Sequence, residues 1–440
     1  MRTRKQLVSV LAVIGLAVIL QAQSRGEATP AGPDNAIAFS LAGTYRLRGE
    51  LQDGFNIKTY GTEAGEEYLL SRLRLELDAR WKSLLRIHAQ IQDARTLGLS
   101  LSDKDFSGGN NPYRDPFDIN QLYLEVRPSR RVGLIVGRQV LSYGDRRIFG
   151  PGDWSNTGRY AWDAVKLEFE GKSFSSHWLV GRSVLHDPDR RPNAHAAGPT
   201  AYASYNTIKN LPFSLDLFYI FKHDGGGLIK GERGPGNLSS HSAGFRVEGK
   251  GGGWDYAAMF VDQFGRWGAD AIKAHGLAFS LGYAFVGNWK PRVVAQYIIG
   301  SGDKNPKDGI HGTFDGVFGG ADTVLYGWMN LFFWQNLREF RVDLILTPAK
   351  TLSLRGEYHL FGLDEAKDAW YFPGRAVRRD VLGSFGRRLG HEVDLTAGWK
   401  SGKGIDLLAG ACVFLPGEYV AKTGESPTGF WYFLETTLSF

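Results

Sequence analysis

Charged and apolar residues alternate without a break in one short stretch of this chain, Arg72-Leu73-Arg74-Leu75-Glu76-Leu77-Asp78-Ala79-Arg80. Successive side chains of a β-strand point to opposite faces, so the alternation predicts a strand with one charged face and one apolar face. A soluble antiparallel sheet with one wet face would show the same pattern. The wall of a membrane-spanning β-barrel would show it too, with its apolar face towards lipid.

The same alternation recurs along the chain, for example in residues 45–51, 340–344, 352–358 and 393–397. Strand signals of this kind predict an all-β fold with roughly eighteen strands. The predicted strands lie near residues 38–52, 66–80, 83–95, 118–127, 131–140, 160–170, 173–184, 199–208, 212–222, 239–249, 252–264, 273–287, 291–301, 335–347, 350–361, 388–400, 404–415 and 428–440.

The connections between these strands alternate between short and long. The long ones are predicted at about 53–65, 96–117, 141–159, 185–198, 223–238, 265–272, 302–334, 362–387 and 416–427. A soluble sandwich has no reason to keep all its long loops at one end, whereas an outer-membrane barrel has short periplasmic turns and long extracellular loops. We therefore predict a single antiparallel transmembrane β-barrel over residues 38–440.

The composition of the 440-residue chain agrees with a barrel in lipid. It has 57 glycines, 13% aromatic residues and a mean hydropathy of −0.24. Such a low hydropathy excludes a bundle of apolar membrane helices but suits a barrel, which exposes only every second residue to lipid. The single cysteine excludes a disulfide framework and a cysteine metal cluster.

The N-terminus predicts export. Basic residues within positions 2–5 precede an apolar run over residues 7–20, a pattern typical of a signal peptide. We expect a signal peptide over residues 1–22, with the exact cleavage site left open, and a short periplasmic segment over residues 23–37. Cleavage would remove basic residues from a chain whose net charge is only +6, so the charge is no argument for nucleic acid as a partner.

The phase of the alternation predicts which side chains face the lumen. A basic side chain facing lipid near the midplane would cost about 2–4 kcal/mol, so the charged positions should point inward. The residues predicted to line a solute path are Arg46, Arg48, Arg72, Arg74, Arg86, Arg138, Arg146, Arg159, Arg341 and Arg355, with Glu76, Asp78, Asp145 and Asp163 as supporting acids.

Two interpretations of these arginines stay open. Arginine binds carboxylates through two parallel donors, so a column of arginines favours a path for a polyanionic sugar acid. Alternatively, the arginines pair with lumen acids and merely fill the barrel. The Gly/Pro-rich loop near residue 150, which should tuck into the mouth, has the same ambiguity: Arg138, Arg146 and Arg159 form a basic ring, or salt bridges hold the loop.

Three blocks of sequence resemble the alginate-export family of outer-membrane barrels. They are Gly137-Arg138-Gln139 with residues 143–147, 150–156 and 162–165; residues 301–309 with 312–315 and 326–330; and Gly390-His391-Glu392-Val393-Asp394-Leu395 with residues 414–417 and the closing strand, which ends at Phe440. The resemblance covers nearly all of the mature chain. It implies an 18-stranded outer-membrane barrel whose arginine-rich constriction lets an acidic polysaccharide leave the cell, with periplasmic export components as partners.

The predicted function is therefore an outer-membrane channel for an alginate-like anionic polysaccharide or sugar acid, with a general diffusion porin as the alternative. No nucleophile-elbow motif is present and the histidines are scattered, so we expect neither catalysis nor a cofactor. Asp303, Asn305 and Asp308 have Ca²⁺-like spacing without the full ligand pattern, and an ordinary turn is the favoured interpretation, with no metal.

Overall fold

A computed structural model describes residues 37–106, 110–150, 152, 154–158, 161–319, 325–372 and 375–440. The predicted signal peptide, nearly all of the predicted periplasmic segment, and Arg159 lie outside these residues. Within them, no helix is both long and apolar enough to cross a bilayer.

Eighteen antiparallel strands form the wall of the molecule, and each pairs with the next one along the chain. They are β1 (Ile37–Phe55), β2 (Tyr60–Trp81), β3 (Leu85–Leu97), β4 (Asp115–Ser129), β5 (Val132–Val140), β6 (Ala161–Glu170), β7 (Phe174–Ser183), β8 (Thr200–Ile208), β9 (Ser214–Gly231), β10 (Gly234–Gly251), β11 (Trp254–Trp267), β12 (Asp270–Ala284), β13 (Arg292–Gly300), β14 (Leu337–Ala349), β15 (Leu352–Leu363), β16 (Arg388–Lys400), β17 (Ile405–Pro416) and β18 (Gly429–Ser439).

The barrel closes where β18 pairs with β1, from Thr44 opposite Ser439 to Asp53 opposite Phe430. Closure leaves no strand edge unpaired around the wall, which is what a bilayer requires of a sheet. The predicted fold class and strand number are confirmed. The remaining elements lie in loops: a 3₁₀ turn (Asp103–Asp105), a two-residue strand (Ile310–His311), a small hairpin (Ala369–Tyr371 with Ala376–Arg379) and helix α1 (Glu418–Thr423).

The two faces of the wall differ as the alternation requires. On β1 and β2 the apolar residues Leu41 and Leu77 are 69% and 45% exposed on the outside, where lipid would cover them. On β1, Arg46 and Arg48 are 5% and 1% exposed, because they point into the barrel. A charged residue on the outer face would lose its hydration without gaining a partner, so the sequence admits only this orientation.

For three segments the prediction of a long loop is wrong. Residues 53–65, 223–238 and 265–272 belong largely to strands, because β1 and β2 are joined by residues 56–59, β9 and β10 by residues 232–233, and β11 and β12 by residues 268–269. Beyond the membrane both faces of a hairpin are wet. The apolar alternation that marks a strand in the sequence therefore stops, although backbone pairing continues to the tip.

Two of the long loops fold into the barrel, as predicted for the one near residue 150. We call residues 141–158 the first inward loop and residues 301–336 the second inward loop. Phe149 and Phe318 form a β-bridge between them, and the N–H of Phe318 donates to the carbonyl of Ile148 at 3.2 Å. Buried apolar side chains of both loops, such as Phe332 and Trp334, make one hydrophobic core with the inner wall. The lumen is thus largely filled by its own loops at this level.

Candidate functional site

Four arginines share one patch of the inner wall. The register of β1 and β2 places Arg46 directly opposite Arg72, and Arg48 and Arg74 lie two residues away on the same face. Across the closing seam, Glu435 of β18 lies opposite Arg48. We call Arg46, Arg48, Arg72 and Arg74 the arginine patch. The prediction from strand phase therefore brought together side chains that the structure also brings together.

The first inward loop covers the arginine patch with main-chain carbonyls. Nη2 of Arg48 donates to the carbonyl of Trp154 at 2.7 Å. Nη2 of Arg46 and Nη1 of Arg72 both donate to the carbonyl of Ser155, at 3.1 and 3.4 Å. The indole of Trp154 stacks on Arg48, with its ring centroid 3.8 Å from Cζ, a close cation–π contact. The loop is thus held to the cationic wall through its backbone and one ring.

Asn156 anchors the same loop from the other side. Its side chain is fully buried, and Nδ2 lies 3.0 Å from the carbonyl of Ser71, 3.0 Å from that of Arg95 and 2.9 Å from that of Tyr113. Its Oδ1 accepts a hydrogen bond from Arg46 at 3.3 Å. One amide therefore ties the loop to β2, to β3 and to the loop that follows β3.

Carboxylates compensate part of the positive charge of the patch. Nε of Arg48 lies 2.7 Å from Oε1 of Glu50, and its Nη1 lies 3.1 Å from Oε2 of Glu435. Arg46 reaches the same Glu435 oxygen at 3.7 Å. Nε of Arg74 donates instead to the neutral amide oxygen of Gln92 at 2.8 Å. Among the contacts of the described residues, Glu50 and Glu435 are thus the carboxylates that pair with Arg46 and Arg48.

A second, acidic patch lies on β14, β15 and β16. Its members are no more than 3% exposed and all point into the barrel; they are Glu339, Asp343, Glu357, Glu392 and Asp394. We call these five residues the acidic patch.

The predicted path residues Arg341 and Arg355 lie within the acidic patch and not beside the arginine patch. Arg341 contacts Asp343 at 2.8 Å, and Arg355 contacts Asp343 at 2.7 Å and Glu357 at 3.2 Å. The predicted path arginines therefore lie in at least two separate places on the inner wall. Arg341 and Arg355 offset neighbouring acids, as the space-filling interpretation expects.

The second inward loop meets the acidic patch with N–H groups. The backbone N–H of Trp328 donates to Asp394 at 3.2 Å and its indole N–H donates to Glu357 at 2.6 Å. The N–H of Met329 donates to Glu392 at 2.9 Å. Each inward loop therefore presents the polar groups that its wall requires: carbonyl oxygens to arginines, and N–H groups to carboxylates.

The two loops meet at an aromatic junction beside a cavity. The rings of Trp154 and Trp328 are perpendicular with centroids 5.4 Å apart, and Trp154 also contacts Trp431 at 5.2 Å. The adjoining cavity, which we call the aromatic cavity, has a volume of about 80 Å³ for the centre of a water molecule. Its lining includes Arg48, Glu50, Gln52, Asn56, Tyr68, Tyr113, Trp154, Trp328, Asn330 and Trp431.

Two residues of the proposed basic ring, Arg138 and Arg146, lie in the described part of the chain. Arg138 makes a bidentate pair with Asp163, at 2.8 and 3.1 Å, and also donates to the carbonyls of Ile119 and Asn193. Arg146 is exposed, and it adopts a left-handed backbone with φ of 71°. These contacts favour the interpretation in which salt bridges hold the loops.

Asp145 forms an ion pair with Arg147. Its Oδ2 lies 2.9 Å from Nε of Arg147, a residue that the sequence analysis did not single out. Arg147 is 2% exposed and also donates to Gln296 of β13 at 3.2 Å. Its guanidinium packs over the ring of Tyr326, so it joins the first inward loop to the second.

The remaining predicted residues lie on the lower wall, towards the short turns. Asp78 binds Arg86 and lies 3.3 Å from Nδ1 of His88. Glu76 accepts a hydrogen bond from Gln90 at 2.6 Å. These side chains form cross-strand pairs on β2 and β3.

The sequence analysis did not identify Trp154, Asn156 or Trp328 as functional residues. They lie in loops, where no periodicity marks orientation. The only signal was their place in the blocks that resemble a known family.

The family model described as alginate export matches residues 38–431. A search of curated protein sequences finds no match. Among solved structures, OccAB2 from Acinetobacter baumannii superposes on this chain with a TM-score of 0.60 and a sequence identity of 10%. The superposition covers 91% of this chain and 98% of OccAB2.

Two barrels from Pseudomonas aeruginosa also have a structure similar to that of this chain. OccK8 (OprE) has a TM-score of 0.60 at 11% identity, and OpdK, solved with vanillate, has 0.58 at 10% identity. Each comparison covers 91% of this chain and 98% of the other. At these identities the likeness shows a shared barrel fold.

Proposed function

Because the chain belongs to the alginate export family, whose model matches residues 38–431, we propose that it passes anionic, alginate-like sugar acids across the outer membrane. That it is an outer-membrane transport channel follows from the family and from the barrel fold. The choice of an anionic sugar as its solute is the proposal, and the arginine patch beside the aromatic cavity carries it.

The chemistry of the aromatic cavity suits a uronate. A uronate combines a carboxylate with an apolar ring face and several hydroxyl groups. Arg48 lines the cavity and its positive charge attracts the carboxylate, and the rings of Trp154 and Trp328 offer flat apolar surfaces for the sugar. Glu50 and Gln52 supply hydrogen-bonding groups for hydroxyls. A few polar groups among aromatic walls is the usual design of a small-molecule site.

The filled lumen strengthens the effect of the arginine patch. Because the two inward loops occupy much of the barrel, an ion must pass close to the wall. Low-dielectric walls focus the field of fixed charges in a narrow passage, and rings of charge of one sign are how protein pores select ions. The arginine patch concentrates four guanidinium groups on one part of this wall, with Glu50 and Glu435 beside two of them. OpdK, a barrel of similar fold, was solved with vanillate, which is also a carboxylate.

The test is selectivity in planar lipid bilayers. We expect the parent protein to prefer anions, and its current to be blocked by oligouronates but not by neutral dextrins. Replacing both Arg72 and Arg74 with Ser leaves the contacts of Arg48 with Glu50 and Glu435 in place. The double replacement removes two of the four positive charges of the patch, so it should lower both the anion preference and the block by oligouronate.

The matched control replaces the exposed loop residues Arg190 and Arg191 with Ser, which removes the same charge away from the lumen. It should change neither ion preference nor block. A parent channel that prefers cations, or that neutral dextrin blocks as well as oligouronate, would instead be a general diffusion porin.

A further inference from the structure

Three metal-binding side chains converge at the extracellular rim, away from the arginine patch. Glu232 lies in the turn between β9 and β10, and Asp303 and His311 belong to the second inward loop. One ligand atom from each residue lies within 4.8 Å of the other two. We propose that Glu232, Asp303 and His311, the rim triad, bind one divalent cation of the zinc class that fastens the β9–β10 hairpin to the second inward loop.

The carboxylate of Glu232 is only half satisfied. Oε2 accepts the N–H of Gly309 at 2.9 Å, whereas Oε1 is buried without a hydrogen-bond partner among the described residues. The neighbouring Asp303 is also a carboxylate and is 5% exposed. Two buried acceptors facing each other repel unless a proton or a cation lies between them. Burial, together with Asp303, accordingly raises the pKa of Glu232 to about 7.

Asp270 adds more negative charge beside the rim triad. It is 1% exposed, and its Oδ2 accepts the N–H of Glu232 at 2.7 Å. Its Oδ1 has no hydrogen-bond partner in the described part of the chain; the nearest cation is Nε of Arg233, at 3.7 Å. Among the described residues Arg233 pairs with Asp270, and neither Glu232 nor Asp303 has an ion pair, so a bound cation would offset the repulsion between the carboxylates.

The ligand types select the metal. One imidazole nitrogen with two carboxylate oxygens suits Zn²⁺ and similar first-row ions, with water completing the coordination. Ca²⁺ prefers six to eight oxygen ligands, which makes the imidazole of His311 a poor partner for it. Burial lowers the pKa of His311, so its ring is neutral near pH 7 and has a lone pair for a metal.

The Ca²⁺-like spacing seen in the sequence is a turn. The N–H of Asn305 donates to Oδ1 of Asp303 at 2.9 Å, and Asp308 accepts the N–H of Ile310 at 2.8 Å. The proposed site keeps Asp303 but takes its other ligands from residues 232 and 311. Residues spaced so widely form no sequence motif. The sequence analysis therefore had no signal for this site and expected no metal.

The experiment uses the full-length protein folded in detergent and purified with a histidine-free tag. After dialysis against a chelator, the protein is titrated with ZnCl₂, and bound zinc is counted by mass spectrometry. We expect one equivalent per chain. His311→Ala and Glu232→Gln should each weaken zinc binding roughly tenfold or more, the scale on which metal sites respond to altered ligation.

His223→Ala is the matched control, because it removes a histidine of β9 that is outside the rim triad and whose Nδ1 lies 3.3 Å from the hydroxyl of Ser239. It should bind zinc as the parent does. Heat-dependent mobility on gels verifies that each variant is folded, and Asp303→Asn replaces any variant that is not. No zinc uptake by the parent, or equal uptake by the parent and His311→Ala, would overturn the proposal. Zinc content does not depend on which solute the channel passes.

Discussion

Arg48 shows how a charged side chain is accommodated inside the barrel. It is 1% exposed, and its guanidinium meets Glu50, Glu435, the carbonyl of Trp154 and the face of the same indole. Such a group is stable only because each donor has a partner. Removing the cation would leave two carboxylates without their nearest positive charge.

We therefore expect Arg48→Met to destabilise the folded barrel by about 3–5 kcal/mol, the cost of breaking a buried ion pair on one side. Arg48→Lys should lie between, because lysine keeps the charge but cannot bind two carboxylates and stack on Trp154 at once. The measurement is reversible urea unfolding in lipid vesicles, followed by tryptophan fluorescence. Arg190→Met, at an exposed position, is the control. Equal unfolding midpoints for Arg48→Met and the parent would show that these contacts are unimportant.

At this scale the sequence predicted orientation well and partners poorly. Strand phase places Arg46, Arg48, Arg72 and Arg74 on one inner face, because the alternation leaves no other orientation in lipid. The carbonyls of Trp154 and Ser155 could not be predicted as their partners, since a backbone atom carries no sequence signature. The pairing of Asp145 with Arg147 was missed for a similar reason: adjacent arginines in a loop have no phase.

Among the elements, the first inward loop decides how open the lumen is. Its attachment depends on Asn156, whose amide contacts three carbonyls from separate segments, and on Gly158, whose φ of 72° and closeness to Arg74 leave no room for a side chain. A loop held by few residues should detach as a unit when one of them is lost.

Asn156→Ala should release the first inward loop and raise single-channel conductance, with more current fluctuation. The two N–H donors of the amide, which the carbonyls of Ser71, Arg95 and Tyr113 share, would be lost, at about 1–3 kcal/mol for a group left unsatisfied. Planar-bilayer recording measures both effects. Asn210→Ala, in an exposed turn, serves as the control and should conduct like the parent. An Asn156→Ala channel with parental conductance would mean that the loop is held by other contacts.

Strand identity was predictable only where lipid imposes it. Within the bilayer every strand shows alternation, and each predicted strand has its counterpart in the barrel. Above the bilayer β9 and β10 continue to Gly231 and Gly234 through a segment rich in glycine and polar residues. No apolar face is needed there, so the sequence looked like a loop.

For the whole molecule, closure and orientation are linked. The connections at one edge of the barrel have seven residues or fewer, whereas the longest connections leave from the other edge. The family and the barrel fold place the protein in the outer membrane, with the short turns in the periplasm. Because the number of strands is even, the start of β1 and the end of β18 lie at the same edge of the barrel.

Single cysteines test this orientation in intact cells. In a background where the buried Cys412 is replaced by Ala, a cysteine at Asn110 or Asp308 should react with a membrane-impermeant maleimide. A cysteine at Lys403, in the short turn after β16, should react only once the outer membrane is ruptured. The reverse pattern would invert the barrel.

The arginine patch holds the first inward loop through the carbonyls of Trp154 and Ser155, atoms that every amino acid possesses. Recognition of that kind is indifferent to the identity of most loop side chains. Apart from Asn156, Gly158 and the indole of Trp154, these contacts make few demands on the side chains of the loop. Substitutions at the other loop positions would change the surface that a solute meets without removing the carbonyl contacts to the arginines.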